Sequence, residues 1–389
     1  MMIMQMNANL VVFSHLRWDF VYQRPQHLLS RLAQQGMNII FIEEPFKTTA
    51  EPYLEEMHYN VEGSSGIKVI RPHTNLDEFG FSNNQMSVME PMIESLLKNT
   101  DLQGPVGVWF YTPQALPLIK TYLYDIVIFD VMDELSLFAN APAELLEREA
   151  QLLKIADLVF TGGPSLWNSK IKVRPDAFCI PSSVDAKHYS PNNLDKLKVA
   201  AVEERYQKNI PKGNRIGFFG VIDERLDLEL LAEVADADPH WHLIMAGPVV
   251  KIDPATLPQR KNIHYLGKQE YADLPALVST WDVCIMPFAL NDATKFISPT
   301  KTLEYLAAFR PVVSTNIYDV KFLYSEAVEI GMNHQEFIKH IRTILKEDIG
   351  EMAVRVANAR QTVEKTSWDQ AAEFVKNEIV GVLKLNLVV

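Results

Sequence analysis

Lys301 and Glu304 stand three positions apart in the run Ser298-Pro-Thr-Lys-Thr-Leu-Glu304. On a helix that spacing puts a cation and a carboxylate on one side, about one turn apart. Ser298 followed by Pro299 reads as the start of that helix. A hydroxyl caps free backbone N–H groups, and proline suits the first turn. Such a start attracts anions, and Lys301 adds positive charge within the first turn. A phosphate can meet the free backbone N–H groups of such a first turn. Lys301 would neutralise it, and Glu304 would accept from ribose hydroxyls. That is the equipment a nucleoside diphosphate requires.

Other polar groups follow other apolar runs. Arg215-Ile-Gly-Phe-Phe-Gly220 ends in a glycine whose bare backbone can approach phosphate, and Arg225 follows to neutralise it. Gly247 and Pro248 come directly after the next apolar run, where they leave a gap or simply turn the chain. In the first half, Ser14–Leu28 carries His15, Arg17, Trp18, Asp19, Tyr22, Gln23 and Arg24. It contains no glycine, so a G-x-G-x-x-G dinucleotide loop is absent. It reads as an acceptor site, with His15 or Asp19 near the chemistry and Arg17 and Arg24 meeting anionic groups. An ordinary solvated loop is the alternative. Asp130, Asp133 and Glu134 form a tight acidic cluster, offering either a general base or a helix cap. Asp236-Ala-Asp238 has the spelling of a metal-dependent sugar-transfer motif, but it closes a helix ahead of a strand, at the wrong end of the sheet. No metal ligation is expected there or at His240 and His242.

The elements that position these groups repeat one pattern. Short continuous apolar runs alternate with amphipathic segments: Asn9–Phe13, Asn38–Ile42, Ile67–Ile70, Val106–Tyr111, Asp125–Asp130, Asp157–Thr161 and Ala177–Ile180. Runs of this kind suit parallel strands buried on both faces. The pattern restarts with Arg215–Gly220, Trp241–Ala246, Asn262–Leu266, Asp282–Met286, Pro311–Thr315 and a weaker Ala327–Ile330. Two doubly wound domains are expected, 1–190 and 191–367, with a further helical segment over 368–389. The polar, Lys-rich Pro191–Gly213 reads as a linker, and Pro45–Ser64 and Pro72–Pro105 as loops or irregular helices. Ligands bind at the carboxyl ends of strands in such sheets.

The chain has 389 residues, a net charge of −12 and 48% hydrophobic residues. A globular chain this acidic is a poor partner for nucleic acid. Its charge also opposes electrostatic docking to an anionic membrane, although a local patch leaves peripheral contact at the inner face open. The two cysteines sit in apolar runs, as in a reducing compartment. The N-terminus lacks the basic flank and cleavage site of a leader, and no 20-residue apolar stretch occurs, so a cytoplasmic protein is expected.

Taken together, these segments resemble the GT-B glycosyltransferases, in particular glycosyltransferase family 4. The resemblance rests on Phe13–Leu28, Phe129–Leu135, Ala156–Thr161, Ile180–Asp185, Phe219–Arg225, Met245–Pro248, Ile263–Gly267, Ser298–Val313 and Ser367-Trp368-Asp369. It implies an α/β fold of two Rossmann-like, doubly wound parallel-sheet domains facing across a cleft, with the tail helix returning to the first. It further implies a metal-independent transferase needing no cofactor. The donor substrate would be a nucleoside-diphosphate sugar, the acceptor a glycan or lipid-linked hydroxyl, and the outcome retention. Gly220, Arg225, Gly247, Pro248, Ser298, Pro299, Thr300, Lys301 and Glu304 fall at donor positions. His15, Arg17, Trp18, Gln23 and Arg24 fall at acceptor positions, and Asp133, His15, Arg225 and Lys301 near the chemistry. Two departures stand out. Phe296 replaces the first glutamate of the family's pair, and Met132 stands about where many members carry histidine. A nucleotide-sugar epimerase of the same fold and a non-catalytic nucleotide-sugar-binding protein are the rival readings.

Overall fold

A computed structural model describes residues 8–121, 124–137 and 142–386. The N-terminal stretch read as lacking a leader, and the last three positions of the 368–389 segment, lie outside the described residues. The chain divides into two compact units. One comprises residues 1–181 and 368–389, the other residues 182–367. The division thus falls ahead of the expected 190/191 boundary.

In the first unit the strands are β1 (Asn9–Ser14), β2 (Asn38–Glu43), β3 (Phe46–Lys47), β4 (Tyr53–Tyr59), β5 (Ile67–Thr74), β6 (Val106–Phe110), β7 (Ile126–Val131), β8 (Leu158–Thr161) and β9 (Phe178–Cys179). Their order is β3-β5-β2-β1-β6-β7-β8-β9, parallel throughout, with β4 antiparallel on β5. All six residues of β1 are buried, as a strand covered on both faces requires. The helix Arg24–Gln34 starts where Gln23 and Gln26 exchange side-chain and backbone hydrogen bonds, with Pro25 in its first turn. Leu28 and Leu32 on that helix share one apolar cluster with Leu10, Val12, Trp109 and Phe160. The tail helix Trp368–Asn386 adds Trp368, Ala372, Val375 and Ile379 to the same cluster. Trp368 stacks on His27 with ring centroids 4.8 Å apart, and Lys376 Nζ donates to the Gln35 carbonyl at 3.1 Å.

Two expectations in this unit need correction. Pro45–Ser64 is not merely loop. Tyr53–Tyr59 pairs residue by residue with β5, but its exposed outer face gives it no continuous apolar run. Within Pro72–Pro105, Asn83–Asn99 is a regular helix despite Pro91 inside it, capped by the Ser82 side chain.

The second unit contains β10 (Asn214–Phe219), β11 (Trp241–Ala246), β12 (Ile263–Gly267), β13 (Val283–Met286), β14 (Val312–Thr315) and β15 (Glu329–Gly331). They form one parallel sheet in the order β12-β11-β10-β13-β14-β15. Phe218, Leu243, Ile285 and Val313 from the strands pack with Leu230, Leu306 and Phe337 from the helices. The stretch read as a linker holds the helix Lys196–Asn209, which belongs to this unit. Its Tyr206 is buried and accepts from Trp281 Nε1 at 3.2 Å, and its Glu203 grips Arg215. Among the described residues no helix is long and apolar enough to cross a membrane.

Candidate functional site

The second sheet reverses its winding between β10 and β13. From β10 the chain proceeds outward to β11 and β12, then returns to lay β13 on the other side. At such a switch point the loops leave in opposite directions and open a crevice beyond the carboxyl ends of the strands. Gly220 follows β10 there. Its φ of +138° is a conformation that side-chain-bearing residues rarely adopt. A methyl group on Gly220 would lie 2.0 Å from Lys301 Cε, and one on Gly247 would lie 1.8 Å from the Gly220 carbonyl oxygen. Only glycine at both positions lets the two loops nest and the lysine stem lie across bare backbone. Gly220 N–H donates to the Ala246 carbonyl at 2.8 Å, and Ile222 N–H to that of Pro248 at 2.9 Å. Pro248 thus serves by holding the loop after Gly220.

Lys301 opens the helix Lys301–Ala307, with its ammonium 5.8 Å from the Phe218 ring centroid. Among the described residues it makes no ion pair or hydrogen bond. Burial pushes its pKa down to about 8, opposed by the Glu304 charge. Glu304 is 8% exposed and accepts from the Tyr189 hydroxyl at 3.2 Å. Burial pushes its carboxyl up to about 7. A half-buried cation with no ion pair or hydrogen bond among the described residues, beside a buried carboxylate with acceptor capacity to spare, is a polar pair arranged for a ligand.

The reading of Ser298 as the cap needs correction. The helix starts at Lys301, after a Thr300 that is already in helical conformation and makes no side-chain cap. The carbonyls of Pro299 and Thr300 already accept from the amides of Thr302 and Leu303, and that of Ser298 accepts from Ser182 Oγ at 3.2 Å. Proline disfavours helical geometry in the residue before it, so the helix cannot reach back through Ser298. Arg225 is also more committed than its sequence context suggests. Its guanidinium donates through Nε at 3.0 Å and Nη2 at 2.7 Å to Asp223, a carboxylate that is itself buried.

In the first unit, the segment after β1 is mostly structural. Arg24, 3% exposed, pairs with buried Asp130 and donates to the Ile180 carbonyl at 2.7 Å. Trp18 is buried against Phe41 and donates its backbone N–H to Glu43 at 2.7 Å. Arg17 lies 3.8 Å over the Phe46 ring, and Gln23 caps the helix that follows it. Of these five residues His15 lines a cavity of about 530 Å³, at the carboxyl edge of β1 and β6. The acidic cluster is divided. Asp130 faces Arg24, Glu134 faces Lys170 at 2.9 Å, and half-buried Asp133 makes no hydrogen bond or ion pair among the described residues. Asp236 is paired with Arg260 at 2.7 Å, at the opposite edge of its sheet.

Tyr189 and Asp223 escaped the reading of the sequence. Nothing in His188-Tyr189-Ser190 distinguishes a tyrosine that orients a carboxylate far along the chain. The Asp223–Arg225 spacing is the signal of a local pair.

Residues 213–347 match the sequence profile of the glycosyl transferases group 1. Over 250 residues the chain is 25% identical to the putative teichuronic acid biosynthesis glycosyltransferase TuaH of Bacillus subtilis, a match covering 59% of this chain and 60% of that relative. Two solved structures illustrate the architecture. Sucrose-phosphate synthase from Thermosynechococcus elongatus superposes with a TM-score of 0.69 at 15% identity, covering 97% of this chain and 100% of that one. Anabaena Alr3699/HepE, solved with UDP-glucose, gives 0.70 at 12% identity, covering 96% and 99%. The chain has the GT-B architecture, and its likeness to the group 1 glycosyltransferases falls in the second unit.

Proposed function

We infer that this protein transfers a sugar from a nucleoside-diphosphate sugar to a hydroxyl acceptor. One observation carries the reading. Lys301, half-buried and with no ion pair or hydrogen bond among the described residues, lies across the bare backbone of Gly220 at the switch point of the second sheet, with Glu304 one turn along. The similarity of residues 213–347 to group 1 glycosyltransferases supports it, as does the UDP-glucose held by a relative of the same architecture.

The chemistry follows from charge. As the bond between sugar and diphosphate breaks, negative charge accumulates on the departing nucleotide. Lys301 meets that charge from a half-buried position, where one cation counts for more than in bulk solvent. Because the charge is larger at the transition state than in the bound donor, the lysine accelerates transfer rather than merely binding. Arg225, largely balanced by Asp223, contributes a smaller local field and shapes the loop. Glu304 accepts from the ribose hydroxyls, with Tyr189 fixing its orientation. The acceptor is a glycan or lipid-linked hydroxyl. Asp133, at the end of β7 with its carboxylate uncommitted, is the first-unit candidate for a role near the chemistry, and the sugar is transferred with retention.

Incubating the protein with UDP-, GDP-, ADP- and dTDP-sugars and a panel of glycoside acceptors tests this. Acceptor-dependent release of one nucleoside diphosphate is the expected result. Binding without consumption of any donor would instead support a nucleotide-sugar-binding protein, which Phe296 at the family's first glutamate favours. Epimer formation with no acceptor requirement would indicate an epimerase.

A further inference from the structure

The first sheet has its own switch point. The chain winds outward from β1 to β2 and β5, then returns to place β6 on the other side of β1. The cavity lined by His15 lies at these strand ends, within the first unit. Its other walls are Glu44 after β2, Gln114 after β6, Glu78 and Phe79 ahead of the helix Asn83–Asn99, and Arg148 from the helix Glu144–Ile155.

Three features of the lining specify a ligand class. First, Phe79 is 96% exposed at the rim, whereas Phe81 is buried against Phe13. Gly80 between them has φ +64°, and a methyl there would lie 2.9 Å from Glu44 Oε1. The glycine turn therefore both lifts Phe79 outward and presses the backbone onto the Glu44 carboxyl. A free aromatic face is an electron-rich platform for the C–H bonds on the apolar side of a pyranose. Second, Glu44, Glu78 and Glu144 all line the cavity; Glu78 accepts from Ser82 and Asn84 and Glu144 from Asn83, one bond to each oxygen used, so further lone pairs face the cavity. Carboxylates accept from sugar hydroxyls. Burial also pushes the Glu44 carboxyl up to about 7, opposed by the Arg17 charge. Third, the cation in the wall is not offered to an anion. Arg148 donates to the Phe81 and Gln114 carbonyls and to the side-chain oxygens of Gln114 and Asn83. That bond turns the Gln114 amide so that its buried Nε2 has no partner, a donor in the wall still to be satisfied.

We propose that this cavity is the acceptor site and takes an uncharged carbohydrate, stacked on Phe79 with its hydroxyls on Glu44 and Glu78, in preference to an acidic sugar. The proposal rests on the sugar-transfer reading but concerns the other unit. Carboxylates outnumber the cation here and repel an anionic ring, while an uncharged pyranose satisfies both the aromatic face and the acceptors.

Saturation-transfer NMR on the full chain without nucleotide tests it, using methyl glucoside, methyl galactoside, methyl N-acetylglucosaminide and methyl glucuronide as probes. At least one uncharged glycoside is expected to bind, with saturation strongest on the C–H groups of one ring face, and the glucuronide more weakly. Phe79→Ser should weaken binding about five- to tenfold, the worth of one stacked ring, with no change in melting temperature because the side chain is exposed. Glu44→Gln should weaken it as well. The same samples are titrated with nucleoside diphosphates, which Phe79→Ser should bind as wild type does. Absence of binding by every uncharged glycoside, tighter binding of the glucuronide, or an unchanged Phe79→Ser variant would overturn the proposal. Glycoside binding by a chain that binds no nucleotide would uphold the cavity assignment and refute the donor site instead.

Discussion

At the scale of single residues, Lys301 and Glu304 are held in states that the empty protein would be better without. Glu304 titrates near 7 when folded, above its ordinary value, so the shift favours folding at low pH and is lost as pH rises through 7. Above that point an ionised carboxylate is buried at a cost. Lys301 shows the converse. Its depressed value near 8 favours folding only at high pH, and that contribution is lost as pH falls through 8. Glu304→Gln should therefore stabilise the ligand-free protein at pH 8, and Lys301→Met at pH 7, each by about 1 to 3 kcal/mol. Thermal melts at both pH values check this. Nucleotide affinity should respond the other way. It requires Glu304 ionised and Lys301 protonated, so it should peak between about pH 7 and 8 and fall on both sides, a profile that calorimetry across pH would resolve. The pair was legible in the sequence because three positions on a helix is a geometric statement. Tyr189 was not, because a hydrogen bond spanning most of a domain leaves no local trace.

Elements set those residues in place, and their failures are of a different kind. Gly220→Ala would press a methyl group into the Lys301 stem at a backbone angle alanine avoids. The sheet should persist while nucleotide affinity drops about tenfold or more, since the loop is what carries the lysine across the strand ends. Arg24→Met should act through stability instead. It strands buried Asp130 without its partner, a loss of about 3 to 5 kcal/mol, and Arg24→Met with Asp130→Leu should recover most of it. Equal melting of the single and double variants would show that the pair does not hold the unit. Arg24, read from sequence as meeting anionic groups of an acceptor, and Asp130, read as a general base or helix cap, are partners of each other, and nothing local in the sequence signals that they meet. The parallel strands were legible wherever both faces are covered. Tyr53–Tyr59 and Asn83–Asn99 were not. One has a solvent face that breaks its apolar run, and the other carries a proline where helices seldom tolerate it.

For the molecule as a whole, the chain order and the folding units differ. The helix from Trp368 closes the core of the first unit although it follows the entire second unit in sequence. Deleting residues 368–389 should uncover Leu28 and Leu32 and unfold the first unit while leaving β10–β15 protected, as hydrogen exchange by mass spectrometry would register. The pattern of strands and helices announced two sheets. The border lies at 181/182 rather than 190/191, and the polar helix Lys196–Asn209 looks like a connector until Tyr206 and Glu203 are seen to anchor it. Donor chemistry in the second unit is the point on which the functional reading turns. Calorimetric titration of wild type and Lys301→Met with UDP, GDP, ADP and dTDP at pH 7.5 addresses it directly. One nucleotide should bind the wild type, and the variant should bind that nucleotide at least about tenfold more weakly despite its greater stability. Equal affinity in the two proteins, or no binding of any nucleotide to the wild type, would contradict the assignment of this crevice to a nucleoside diphosphate.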